Sequence, residues 1–195
     1  MNGTPPSGRL SFRALRNGAP LGTHTLAFSR EDDATTVAIA VDYVVKIGPV
    51  PIFRYKMRCR ETWQGGLLIS ATADTDHNGK PEWMRAQRSG DSLLVNGSKS
   101  GKYRAPAGAI LASHWNQAQL EGPMINPQDG ELLSFTITPR GHVEAPDAAG
   151  RLRAVHHFSL SGREPLDLWY DADGLWVSLR ATVADGSIIT YLPVA

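Results

Sequence analysis

The side chains able to do chemistry are few and scattered. Six histidines are present: His24, His77, His114, His142, His156 and His157. No two of them have the i, i+4 spacing of a helical metal site, and neighbouring His156 and His157 on a strand would point to opposite faces. The single cysteine, Cys59, excludes an internal disulfide and the Cys/His spacings of zinc sites. Asp74-Thr75-Asp76-His77-Asn78-Gly79 opens like a calcium loop. The twelfth position, where a bidentate Glu completes the ion's shell, is Arg85, so the segment reads as a polar hairpin tip. Neither a Gly-x-Ser-x-Gly elbow nor a glycine-rich phosphate loop is present. No metal and no cofactor is expected.

Three groups of residues remain as candidate sites. Ser113-His114-Trp115-Asn116 puts an imidazole, an indole and an amide side by side. They either line the mouth of a pocket or do structural work, the indole as an anchor and the amide satisfying backbone groups. Arg54, Lys56, Arg58 and Arg60 alternate along one face of a strand. That stripe is either a seat for an anionic head group or the solvated outside of a sheet. Tyr170 lies in Leu168-Trp169-Tyr170-Asp171, beside an Asp173-Gly174 turn. With His24, these give a candidate ligand-binding set of His24, Arg54, Arg58, His114, Trp115, Asn116 and Tyr170.

The elements that must position them are strands. Val37, Ile39, Val41, Tyr43 and Val45 alternate with smaller or polar residues, and Phe53, Tyr55, Met57 and Cys59 alternate with the basic stripe. Period two of this kind marks strands with one apolar face. Asn17-Gly18, Gly65-Gly66, Asn78-Gly79, Asn96-Gly97, Asp129-Gly130, Asp173-Gly174 and Asp185-Gly186 punctuate the runs. Asn-Gly and Asp-Gly accept the positive φ of tight hairpins, so a meander of antiparallel strands is expected. One segment differs. The spacing of Leu111, Trp115 and Ala118 predicts a short helix over about residues 107–121, with Ser113 as a cap and Gly122-Pro123 as its end. The expected fold is therefore all-β. It is an antiparallel curved sheet forming an open barrel or half-barrel, with the helix covering an opening. Residues 1–8 read as a flexible lead-in and residues 9–195 as one antiparallel β domain.

A chain of 195 residues buries enough surface to need no staple. A formal net charge of +1 creates no field that would draw nucleic acid, and the aromatics do not interleave with the basic residues, so no nucleic-acid partner is expected. No apolar run reaches the roughly 20 residues of a membrane span. The N-terminus has neither the basic start nor the apolar stretch of a signal peptide. Nothing in the residues indicates the oligomeric state.

Four stretches carry a resemblance: Arg16-Asn17-Gly18-Ala19-Pro20-Leu21-Gly22-Thr23-His24, Ser113-His114-Trp115-Asn116, Asn126-Pro127-Gln128-Asp129-Gly130-Glu131-Leu132 and Leu168-Trp169-Tyr170-Asp171. In order and spacing the chain resembles a family of uncharacterised, usually exported bacterial proteins of about 200 residues, a domain of unknown function. The resemblance implies a periplasmic or secreted home, although the leader that members usually carry is missing from the start of this sequence. It also implies likeness to exported half-barrel proteins, some of which hold lipid or lipoprotein. It supplies no catalytic residue.

The leading functional expectation is a binding module for an apolar or amphiphilic small molecule, with Trp115, Asn116, His114 and Tyr170 near the mouth and His24, Arg54 and Arg58 on a polar head group. The alternatives are a hydrolase or lyase acting on a glycan or lipid through a His/carboxylate site, with His24, His114, Asp129 and Glu131 the residues concerned, and a structural protein using a sheet edge.

Overall fold

The computed structural model describes residues 3–147 and 149–194. Eight strands come first: β1 (Arg9–Arg16), β2 (Ala19–Glu31), β3 (Ala34–Ile47), β4 (Val50–Gln64), β5 (Leu67–His77), β6 (Lys80–Ser89), β7 (Ser92–Gly97) and β8 (Gly101–Arg104). A segment with little regular structure follows. It holds β9 (Ile110–Leu111), a 3-10 helix (Gln117–Glu121), β10 (Met124–Ile125) and β11 (Leu132–Leu133). Five more strands complete the chain: β12 (Thr136–Pro146), β13 (Leu152–Ser161), β14 (Leu166–Tyr170), β15 (Trp176–Thr182) and β16 (Ile188–Pro193).

Thirteen strands form one antiparallel sheet in the order β12-β13-β14-β15-β16-β1-β2-β3-β4-β5-β6-β7-β8. Each neighbour in that order is also a neighbour in sequence, except where β16 pairs with β1. The meander therefore curves around from both ends, and β8 and β12 are left as its edges. The connection between those edges is the irregular segment of residues 105–135. Its three short strands make a separate small sheet, with β10 parallel to β9 and antiparallel to β11. The fold is thus an all-β, open barrel.

Turn chemistry explains the tight corners. Asn17-Gly18 and Asn78-Gly79 each have two residues of positive φ, as a two-residue hairpin of matching twist requires. Asn96-Gly97 is not a turn. Gly97 ends β7, and the carbonyl of Asp129 comes so close that a Cβ would lie 2.0 Å from it. Glycine serves there to let the inserted segment press on the sheet.

The inner face is built from the expected alternation. Val37, Ile39 and Val41 of β3, and Met57, Cys59, Glu61 and Trp63 of β4, are buried, while Arg54, Lys56, Arg58 and Arg60 are exposed on the outside. The inserted segment packs into the concave side. Leu111, Trp115, Met124 and Ile125 are all buried in the common core. The indole of Trp115 meets Phe28 and Trp63 edge-on, with ring centres 5.3 and 5.4 Å away.

Glu61 fixes that packing. It is fully buried, and its Oε2 accepts Nε1–H bonds from both Trp63, at 2.8 Å, and Trp115, at 3.0 Å. Burial pushes its carboxyl above the ordinary value, opposed by hydrogen bonds from Ser113, Trp63 and Trp115.

The helix expected over residues 107–121 is corrected to a single 3-10 turn, Gln117–Glu121. Asn116, not Ser113, caps it, accepting from Ala118 N–H at 3.1 Å. Gly108 and His114 both have positive φ, which no continuous helix through them accommodates. The spacing of Leu111, Trp115 and Ala118 is therefore not that of a helical face. Of the N-terminal lead-in, Met1 and Asn2 lie outside the described residues. Gly3 is buried against the carbonyls of Trp115 and Gly174, and Pro5 is buried as well.

Replacing Trp115 by Phe keeps a ring in place but removes the N–H donor to a buried carboxyl. The substitution is expected to cost about 1–3 kcal/mol of stability, measured from urea unfolding midpoints. An unchanged midpoint would show that the bond contributes nothing.

Candidate functional site

The strand register stacks inward-facing residues in layers. Phe12, His24, Val41, Met57 and Thr75 are successive cross-strand partners on β1 to β5. The next layer contains Tyr191, Ala14, Gly22, Tyr43, Tyr55 and His77 on β16 and β1 to β5. In this layer the two middle residues have almost no side chain. The rings of Tyr191 and Tyr43 reach across Ala14 and Gly22, and their hydroxyls hydrogen-bond to each other. Tyr43 stacks on Tyr55 at 5.7 Å. Tyr55 donates to Gln128 Oε1 at 2.9 Å, and Gln128 donates in turn to Glu82. A string of hydroxyls and amides thus runs along the concave wall. It ends at an ionic cluster in which Lys99 Nζ lies 3.1 Å from both Glu82 and Asp129.

Beside this string is a cavity of about 790 Å³. Ile39, Val41 and Met57 form one wall, and Leu160, Leu166, Leu179, Ala181 and Ile189 form the other. Met124, Leu133 and Phe135 of the inserted segment and its connection to β12 close a third side. The exposed residues in the lining, Lys99, Leu132, Ser134, Arg163 and Glu164, mark the mouth. The opposite end is closed by the packed Trp63, Trp115 and Phe28 layer.

His24 and His114 stand where the packed core meets the cavity. Both line it, and both pack on Trp176, at ring-centre distances of 5.3 and 5.4 Å. His24 Nδ1 lies 3.3 Å from the Tyr191 hydroxyl, while its Nε2 has no hydrogen-bond partner. His114 Nδ1 has none either. Burial lowers the pKa of His24 to about 3, with further repulsion from His114, and burial lowers that of His114 to about 4. Both rings are therefore neutral at physiological pH. Burial raises the Tyr191 hydroxyl to about 12, so the phenols are neutral as well.

His114 is also held in a left-handed backbone conformation, φ 70°. Tyr170 supports it by donating to the His114 carbonyl at 2.8 Å and accepting from Gln119 Nε2 at 2.7 Å. Gln119 accepts from the His114 N–H at 3.3 Å. Strain of this kind persists only where surrounding contacts enforce it.

The candidate residues thus separate into three places. His24 and His114 line the cavity. Trp115, Asn116 and Tyr170 stand behind it, as anchor, cap and strut, and are absent from its lining. Arg54 and Arg58 are on the outer face, away from the other five. Arg58 makes a two-pronged ion pair with Asp42, at 2.8 and 2.9 Å, and Asp74 and Asp76 are the cross-strand partners of Arg58 and Lys56. A head group in the cavity does not reach either arginine, because odd and even positions on β4 face opposite sides. Asp74, first residue of the calcium-like loop, is paired with Arg85, at 2.6 Å. Asp129 and Glu131 border the cavity near Lys99, Asp129 being engaged by Lys99 and by the Glu131 N–H.

Several lining residues were not among the candidates: Tyr43, Tyr55, Tyr191, His77 and Gln128. Tyr43 and Tyr55 carry a signal, since both fall in the apolar phase of their strands. Tyr191 carries none until β16 is known to pair with β1. Among the described residues, no group of three or more His, Cys, Asp and Glu is placed to hold a metal ion. No helix among them is long and apolar enough to cross a membrane.

Residues 12–194 match the family described as a domain of unknown function, DUF6134, and the chain belongs to that family. No curated protein matches it. Its fold is similar to that of the crystal structure of a β-barrel-like protein of another domain of unknown function, DUF1849, from Brucella abortus. That likeness has a TM-score of 0.68 at 10% identity and covers 95% of this chain and 94% of the other.

The buried imidazoles make stability depend on pH with a definite sign. Unfolded histidines titrate near 6.5, whereas the folded rings resist protonation down to about 3 and 4. Their contribution is fully present above pH 6.5 and is lost as pH falls below it. By pH 5 the loss amounts to about 2 kcal/mol for each ring. His24→Leu should therefore flatten the decline in stability between pH 6.5 and 4, measured by urea unfolding. An unchanged slope would mean that His24 protonates freely in the folded state.

Proposed function

We propose that this DUF6134 member is a binding module for an apolar or amphiphilic small molecule, held inside the open barrel and working in the bacterial envelope. The observation that carries the reading is the cavity of about 790 Å³, in which apolar walls face a wall of polar and ionisable side chains. Protein interiors normally pack as densely as organic crystals. Ligand sites typically span about 300–1,000 Å³, mostly apolar with a few convergent polar groups. Ile39, Val41, Leu160, Leu166, Leu179 and Ile189 supply the apolar surface, and the tyrosine–histidine string supplies the polar groups. The envelope setting rests on the family resemblance.

The competing reading is an enzyme acting on a glycan or lipid. What favours it is His77, on the cavity wall, with its Nδ1 3.9 Å from Glu82 Oε2. Ester hydrolysis by purified protein that disappears in His77→Ala would support that reading over simple binding.

The binding reading is tested with an uncharged fluorescent probe, N-phenyl-1-naphthylamine, titrated into purified protein. One probe per chain is expected to bind, with at least a tenfold loss of affinity in Ala181→Trp, whose indole fills the cavity. An absence of binding, or binding that ignores the added indole, would overturn the proposal.

A further inference from the structure

We propose that the β3–β4 ribbon is a membrane-docking element, whose apolar tip enters the interface of a bilayer carrying anionic lipid. This goes beyond the lumen reading and does not depend on it.

β3 and β4 outrun their pairing with the strands beside them. Pairing of β3 with β2 ends at Tyr43 and Gly22, and pairing of β4 with β5 ends at Tyr55 and His77. Past those points the ladder joins only β3 to β4, matching Val44 to Arg54, Val45 to Phe53, Lys46 to Pro51 and Ile47 to Val50. The two strands thus stand free of the sheet over about 13 Å, at a rise of about 3.3 Å per residue. A two-stranded ribbon is marginally stable in water by itself, and this one carries apolar side chains that the core leaves uncovered. Val44, Val50 and Ile52 are 37, 58 and 51% exposed, and Pro49 is exposed with them. Exposed apolar residues gathered on one projecting element mark a contact surface.

The ribbon's charges select what it meets. From Tyr43 to Arg60 the chain has no Asp or Glu. Lys46 and Arg54 are exposed on the ribbon, and neither forms an ion pair among the described residues. Asp42, the acid that precedes the ribbon on β3, is engaged by Arg58. An apolar tip with cations beside it and no anion suits the interface of a bilayer with negative head groups. A strand from another protein finds a poorer partner, because Pro49 and Pro51 offer no N–H donors. The root of the ribbon is the cavity wall. Tyr43, Tyr55 and His77 line the cavity, and Phe53 meets His77 edge-on at 5.8 Å. Docking by the ribbon therefore brings the mouth of the cavity to the lipid surface.

The test is sedimentation of the purified protein with vesicles of phosphatidylcholine, alone or mixed equally with phosphatidylglycerol. Binding to the mixed vesicles is expected to be at least tenfold tighter than to phosphatidylcholine alone. The double substitution Val50→Asp/Ile52→Asp, at two exposed positions, is expected to weaken it at least tenfold. A polarity-sensitive dye gives a second reading that does not depend on that variant. Attached through Val50→Cys, its emission should move to the blue on mixed vesicles. Attached through Leu152→Cys, a 65% exposed position at the opposite end of the sheet, it should not move. Cys59 is buried and escapes the label. No binding to mixed vesicles, equal binding to both vesicle types, equal binding by the double variant, or equal blue shifts at the two positions would each overturn the inference. Absence of vesicle binding together with a dimer that the double variant dissociates would overturn it too, and would assign the ribbon to a second copy of the chain. All of these results leave the lumen reading intact, because uptake of the naphthylamine probe is measured without vesicles.

Discussion

Two indole N–H groups donate to one oxygen of the fully buried Glu61 carboxyl group, and the architecture depends on that junction. Glu61 belongs to the sheet and Trp115 to the segment that connects its edges. A meander whose edge strands do not pair needs something else to hold its two halves together. Here the connection between the edges does so. It reaches β4 through Trp115, β14 through the His114 carbonyl, and β15 through the packing of His114 on Trp176. A buried carboxyl group is costly in itself, and stripped of its donors it would be more so. The junction therefore serves to specify one position for the segment, and that position closes one end of the barrel and leaves the other hollow.

The hollow end follows from the same placement. With Trp63, Trp115 and Phe28 filling the closed end, the inserted chain passes beyond them as Met124, Leu133 and Phe135, which form a wall and do not fill the space. Across from it, Ala14 and Gly22 leave room for Tyr43 and Tyr191 to meet. Small residues in mid-layer thus create polar chemistry on the concave wall. His24 lies one layer deeper, within reach of the Tyr191 hydroxyl, and is kept neutral by burial.

Much of the fold was legible in the sequence. The strict alternation on β3 and β4 identified which residues turn inward, and Asn-Gly pairs marked real hairpins at Asn17 and Asn78. The irregular segment was not legible, because its apolar spacing imitates a helix. The left-handed turns at Gly108 and His114 and the parallel pairing of β9 with β10 are tertiary outcomes with no local signature. Asn96-Gly97 misled for a related reason, since its glycine answers to a contact with Asp129, 32 positions further along the chain. For the site, alternation on β4 already separated Arg54 and Arg58 from the inward residues, though not the direction in which each face looked. The Tyr43–Tyr191 contact depends on β16 closing onto β1, a pairing between chain ends that no local pattern encodes. The matched family and the similar crystal structure, both of unknown function, support the fold and leave the chemistry to be read from the site.

The methionines allow the central claim, an occupied lumen, to be tested directly. Met57 and Met124 line the cavity, whereas Met84 is fully buried on β6 away from it. In protein labelled at the methionine methyl groups, added 1-octanol should shift the Met57 and Met124 resonances and show NOEs to both, leaving Met84 unmoved. If all three methyls stay in place, or if Met84 shifts as much as the other two, the lumen is not the binding site.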